Sequence, residues 1–89
     1  MFNQSNYENL DLLKLHENQC AFDFVFDRFE VDGFNLNTKP KEYCNFGFDT
    51  LADAFSFVDS HVEQYELMVL NGYIKADDRM QHVTLYTWR

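Results

Sequence analysis

Residues 48–72 constrain the fold more than any other part of the sequence. Apolar side chains recur there at steps of three or four residues, which places them on one side of an α-helix. Asp49 or Thr50 can cap the start of this helix, and Thr50, followed three residues later by Asp53, resembles a known capping pattern. Asn71-Gly72 is typical of the left-handed turn that ends one. The stretch predicts one amphipathic helix over about residues 50–70, whose core-facing side chains are Leu51, Phe55, Val58, Val62, Tyr65 and Val69.

Asn71-Gly72 also allows a second structure. Residues 67–70 and 73–74 could be the two arms of a β-hairpin that turns at this pair. The apolar stripe continues without a break from Leu51 to Val69, which favours the helix.

The clearest strand signal lies in residues 19–31. Phe22, Phe24 and Phe26 alternate with other residues, as on a half-buried strand. The alternation changes phase near Asp27, which predicts a β-bulge or a strand end at that point.

The segment that follows predicts a β-hairpin and two further strands. Asp32-Gly33 is typical of a two-residue turn, and Phe34 then begins the return strand. Residues 37–41 hold the one proline and predict a loop, and residues 42–48 alternate again as a strand. Near the end of the chain, the sequence predicts a short strand at 73–76, a turn at 77–79 and a last strand at 81–88, with either face of that last strand as the buried one.

The amino-terminal segment predicts a short helix. Ser5 and Glu8 form a capping box, and the helix would continue to about residue 17. Its core-facing side chains would be Tyr7, Leu10, Leu13 and His16. The leucines of residues 10–15 would also suit a short bulged strand. Residues 1–89 are then expected to form a single α+β domain, in which an antiparallel sheet of three to five strands carries the long helix on one face.

The charge of the chain indicates the kind of partner it can have. Fifteen acidic residues face seven basic ones, so the net charge is -8, and it is spread evenly along the chain. Such a surface repels nucleic acid and anionic membranes and attracts basic proteins. The charge could also serve only to keep a phenylalanine-rich chain soluble.

Few residues indicate catalysis or a bound cofactor. His16 and Cys20 have a spacing that metal sites use, but the sequence holds no second close pair. Cys44 alternates in phase with Phe46, as a buried structural thiol would. We therefore expect no catalytic residue, metal or cofactor. The start of the chain does not resemble a signal peptide, so we expect a cytoplasmic protein with free thiols.

Two sets of residues are candidates for binding a partner. The first is a row of carboxylates along the predicted strand, where alternate residues lie about 6.5–7 Å apart, close to the phosphate spacing of a DNA strand. It consists of Asp23, Asp27 and, beyond the change of phase, Glu30 or Asp32. The second is the side of the long helix that faces away from the apolar stripe, with Asp53, Phe57, Glu63 and Leu67.

These sets predict two functions. The first is a small acidic, non-enzymatic module that binds a basic protein, for example an inhibitor that imitates the phosphate backbone against a nucleic-acid-handling protein. Phage- and plasmid-type inhibitors of this kind share the size and the charge, which is an analogy and not a motif. The second is a homodimeric structural or adaptor protein that pairs through Phe57 and Leu67.

Overall fold

A computed structural model describes residues 12–89, Ala76 by its backbone alone. Within these residues, three α-helices, four strands and one 3-10 turn follow one another. They are α1 (Leu12–Glu17), α2 (Gln19–Val25), β1 (Arg28–Asn35), β2 (Glu42–Phe48), α3 (Leu51–His61), a 3-10 turn (Val62–Gln64), β3 (Leu67–Ala76) and β4 (Arg79–Trp88). The strands form an antiparallel sheet in the order β2-β1-β3-β4. This confirms the predicted α+β class and the antiparallel sheet.

The hydrophobic core lies between the helices and one face of the sheet. Leu15 of α1, Phe22 of α2 and Leu51 of α3 pack there against buried residues of strands β1, β3 and β4. The opposite side, which we call the open face of the sheet, carries the alternate residues of each strand. None of the helices among residues 12–89 is long and apolar enough to cross a membrane.

The start of α3 agrees with the sequence prediction, but its end does not. Thr50 caps the helix, because its Oγ1 accepts a hydrogen bond from the backbone N–H of Asp53 at 3.2 Å. The first half of the apolar stripe is buried as predicted. The α-helix ends at His61, and Val62 is 39% exposed.

Residues 67–76 form one continuous strand, so the predicted helix over 50–70 is too long. β3 lies between β1 and β4 and makes backbone hydrogen bonds with both. Asn71-Gly72 lies inside this strand and is neither a helix end nor a hairpin turn. Gly72 is required there because a Cβ atom on it would lie 2.5 Å from the Cδ1 atom of Phe26.

The strand predicted over residues 19–31 is also wrong in its first half. Residues 19–25 form α2, and β1 begins only at Arg28. Phe22 and Phe26 are buried, whereas Phe24 is 92% exposed. Residues four apart share one side of a helix, so the first and third phenylalanine point inward and the second points outward. The change of phase near Asp27 marks the junction between helix and strand.

Asp32-Gly33 is not a turn, because β1 continues through it to Asn35. Gly33 provides space for an aromatic ring: a Cβ atom there would lie 2.8 Å from the Cδ1 atom of Tyr65. The hairpin between β1 and β2 instead turns within residues 36–41, which agrees with the predicted proline loop.

The two ends of the described chain agree with the sequence in part. Residues 12–17 are helical, which excludes the strand alternative for them, but Leu15 is buried and Leu13 is 63% exposed. The Ser5 capping box lies outside the described residues. At the other end, the predicted turn is present, with positive φ angles at Asp77 and Asp78. The buried side chains of β4 are Val83 and Leu85.

Candidate functional site

The predicted row of strand carboxylates does not form. Asp23 lies on α2, and its Oδ1 accepts a hydrogen bond from the backbone N–H of Leu51 at 2.7 Å. Asp27 lies before β1, and its Oδ2 accepts from the backbone N–H of Lys75 at 2.6 Å. Both carboxylates therefore hold parts of the fold together.

Asp32 lies at the centre of the open face, as predicted for the solvent side of the strand. Its Oδ1 accepts hydrogen bonds from the hydroxyl of Tyr43 at 2.8 Å and from Nδ2 of Asn45 at 2.7 Å. Its Oδ2 accepts from Nδ2 of Asn71 at 2.9 Å, and Oδ1 of Asn71 accepts from Oγ1 of Thr84 at 2.9 Å. This chain of hydrogen bonds crosses all four strands.

Glu30 lies beside Asp32 on the same face and has a charged partner. Its Oε2 is 3.1 Å from Nη2 of Arg28, and its Oε1 accepts from Nδ2 of Asn45 at 2.9 Å. The guanidinium of Arg28 lies over Gly47, where a Cβ atom would collide with Nη2. The two strand acids are thus bound within the sheet.

Aromatic rings stand near these carboxylates. The rings of Phe34 and Tyr43 are 5.0 Å apart between centroids. The hydrogen bond to Asp32, helped by partial burial, raises the pKa of Tyr43 above its ordinary value of 10.0. Burial and then the charges of Glu30 and Asp32 raise the pKa of Tyr73 in the same direction. The open face is therefore an aromatic surface with a negative centre.

A different acidic surface lies on α3 and the 3-10 turn that follows it. Asp53, Asp59 and Glu63 are exposed, and we call these three residues the acidic face of α3. Within the described part of the chain, their carboxylates make no hydrogen bond or ion pair. Residues 42–74 contain six acidic residues and no lysine or arginine. The carboxylates of the acidic face of α3, unlike those of the strands, are therefore available to a partner.

Phe57 and Leu67 do not share a surface, which corrects the predicted helix face. The ring of Phe57 lies 4.3 Å from that of Phe46 and 5.4 Å from that of Phe48, and it stacks on His61 at 4.1 Å. Phe57 is half-buried because α3 packs beside β2. Leu67 belongs to β3, where it pairs with Phe34 of β1.

Glu66, which no sequence pattern singles out, holds the β1–β2 loop. Its carboxylate accepts hydrogen bonds from the backbone N–H groups of Asn37, at 3.0 Å, and Leu36, and from the side-chain amide of Asn37. The backbone N–H of Asn37 makes the largest contribution to lowering the pKa of Glu66 from its ordinary value of 4.5. The partners lie 29 and 30 residues away in sequence, so no local pattern indicates them.

We call the hydrogen bonds that the Glu66 carboxylate accepts from Leu36 and Asn37 the Glu66 clamp, and we expect them to be lost in acid. Because the folded pKa is lowered, the clamp adds to the free energy of unfolding above pH 4.5 and is lost as the pH falls through the lowered value. The Tm difference between wild type and Glu66→Gln should therefore be largest at about pH 7 and shrink towards about pH 3. Glu63→Gln is the matched control and should show no such change. A Tm difference for Glu66→Gln that stays constant across this range would contradict the clamp.

In the described part of the chain, the thiols and imidazoles form no cluster. Cys20 and Cys44 are free, the first exposed and the second half-buried. Among residues 12–89, no group of three or more His, Cys, Asp or Glu side chains could hold a metal ion.

Comparisons of the chain with protein-family models, with curated proteins and with solved structures found no match.

Proposed function

We propose that this chain is a non-enzymatic binding module that holds a basic protein through the acidic face of α3. The observation that carries the proposal is that Asp53, Asp59 and Glu63 are exposed and have no partner among the described residues. Carboxylates on a rigid helix keep their mutual spacing, and a basic surface can meet them with little loss of side-chain freedom.

The charge around this face supports the choice of a basic partner. No lysine or arginine occurs between Lys41 and Lys75 in the sequence, so the segment that carries α3 has no positive side chain of its own. A surface of one sign steers oppositely charged proteins towards itself and repels nucleic acid. The strand acids contribute less to this attraction for a basic partner, because Glu30 is already paired with Arg28.

The most specific form of the proposal is an inhibitor of a nucleic-acid-handling protein. Such proteins carry basic grooves that neutralise phosphates with lysine and arginine. A helix that displays carboxylates can occupy a groove of this kind in place of the nucleic acid. In this form, added DNA or RNA would compete with the chain for the same partner.

The experiment compares two variants that each remove three negative charges. The test variant is Asp53→Asn/Asp59→Asn/Glu63→Gln. The control variant is Glu17→Gln/Asp77→Asn/Asp78→Asn, whose last two positions have positive φ angles that asparagine tolerates. Each immobilised variant is exposed to an extract of the source cells, and the retained proteins are eluted between about 50 and 500 mM salt.

We expect wild type and control to retain the same basic protein and the test variant to lose it, by about tenfold or more. Nucleic acid added to the wild-type complex should release that protein. Equal losses in both variants would mean that only net charge matters. Unchanged retention by the test variant would exclude the acidic face of α3 as the binding surface.

A further inference from the structure

Within residues 12–89, the outer edge of β2 is an unpaired strand edge. β2 is the first strand in the order β2-β1-β3-β4, so it has only one neighbour among the described strands. Its seven residues run from Glu42 to Phe48 without a bulge, a proline or a lysine. Proteins normally block exposed edges with such features, because a free edge pairs readily with another strand. The other edge strand, β4, has an irregular register opposite Leu70 and Asn71, with Leu85 as the extra residue.

We propose that the β2 edge is the interface between two copies of this chain, which pair antiparallel about a two-fold axis at Asn45. The two sheets would then continue as one sheet of eight strands. This inference does not depend on the proposed function, because the acidic face of α3 takes no part in it.

The residues that flank β2 favour a second copy of this chain as the partner that pairs with the β2 edge. When two β2 strands overlap along their full length, Lys41 of one copy lies opposite Asp49 of the other, and symmetry repeats the pair. Both residues are exposed and have no partner within residues 12–89. The same register keeps the single charge of the strand, Glu42, away from its own copy and places it opposite Phe48.

The side chains of the strand are also compatible with this register. The remaining opposed pairs are Tyr43 with Gly47, Cys44 with Phe46, and Asn45 with Asn45. Tyr43 is 59% exposed, and it would face the glycine over which the guanidinium of Arg28 lies. An aromatic ring against a guanidinium is a favourable cation–π contact. A large side chain therefore meets the one position of β2 that has none.

The register can be tested by exchanging the two charges. Asp49→Lys places two lysines opposite each other, and Lys41→Asp places two aspartates opposite each other. The double variant Lys41→Asp/Asp49→Lys restores opposite charges at each end and has the same net charge as wild type. Sedimentation equilibrium of the purified proteins at about 150 mM salt measures the dimer dissociation constant of each.

We expect each single variant to weaken the dimer about tenfold, because symmetry doubles every change, and the double variant to restore it. Glu17→Lys changes the net charge as much as Asp49→Lys does and should leave the dimer intact. Circular dichroism of every variant shows that the monomer is folded. A wild-type chain that remains monomeric at the highest soluble concentration would overturn the proposal. So would a dimer that the single variants do not weaken, or one that the double variant does not restore.

Discussion

Replacing Phe26 by alanine should destabilise the protein by about 3–5 kcal/mol, which is the usual cost of deleting a buried phenylalanine ring. The ring of Phe26 is buried over Gly72 of β3 and lies 5.7 Å from the ring of Phe29 between centroids. It joins the end of α2 to two strands of the sheet. Because small domains are stable by only about 5–15 kcal/mol, this single change removes a large share of the total. Urea unfolding followed by circular dichroism measures the change in the free energy of unfolding.

Phe24→Ala is the matched control for this prediction. It removes the same kind of side chain two residues earlier, inside α2, but Phe24 is 92% exposed, so the cost should be below about 0.5 kcal/mol. A strand over these residues would bury Phe22, Phe24 and Phe26 together, and the two variants would then be equally harmful. The pair of variants therefore tests the helical assignment of α2 as well as the core. Equal losses of stability would contradict both.

The parts of the fold that the sequence predicts correctly are those set by neighbouring residues. The cap at Thr50 is a contact within one helical turn, and the helical spacing of Leu51, Phe55 and Val58 places all three on the side of α3 that packs in the core. The strand predicted over residues 19–25 and the helix predicted over residues 67–70 are incorrect because their patterns fit both kinds of structure. Phenylalanines at 22, 24 and 26 contain both a two-residue and a four-residue step, and only packing against β3 decides between them.

Distant partners explain the remaining differences. Gly33 and Gly72 look like turn residues, but each lies inside a strand. Glycine is needed at both positions because an aromatic ring from a distant part of the chain occupies the space of a side chain. The candidate binding residues likewise divide into those that remain exposed and those that have a distant partner within the fold. Asp53 and Glu63 are exposed as predicted, whereas Asp23 and Asp27 hold backbone N–H groups that are 28 and 48 residues away in sequence. No periodicity can indicate a partner at that separation.

Asp23→Lys should destabilise the protein by about 2–4 kcal/mol, although the residue looks like a surface acid in the sequence. The carboxylate accepts a hydrogen bond from the N–H of Leu51 at the first turn of α3, and it places a negative charge at the positive end of that helix. A hydrogen bond to a charged group contributes about 1.5–3 kcal/mol. Lysine removes this bond and adds a repulsion of about 0.3–1 kcal/mol with the helix dipole.

Asp59→Lys is the matched control, because it makes the same charge change near the other end of α3. Asp59 is exposed, and a positive side chain is favourable near a helix carboxyl end, so its free energy of unfolding should stay within about 0.5 kcal/mol of wild type. Asp23→Asn separates the two contributions, since it keeps an acceptor oxygen and loses only the charge. It should fall between wild type and Asp23→Lys in urea unfolding. If Asp23→Lys were as stable as Asp59→Lys, the contact between α2 and the start of α3 would contribute nothing, and Asp23 would again be a candidate for binding a partner.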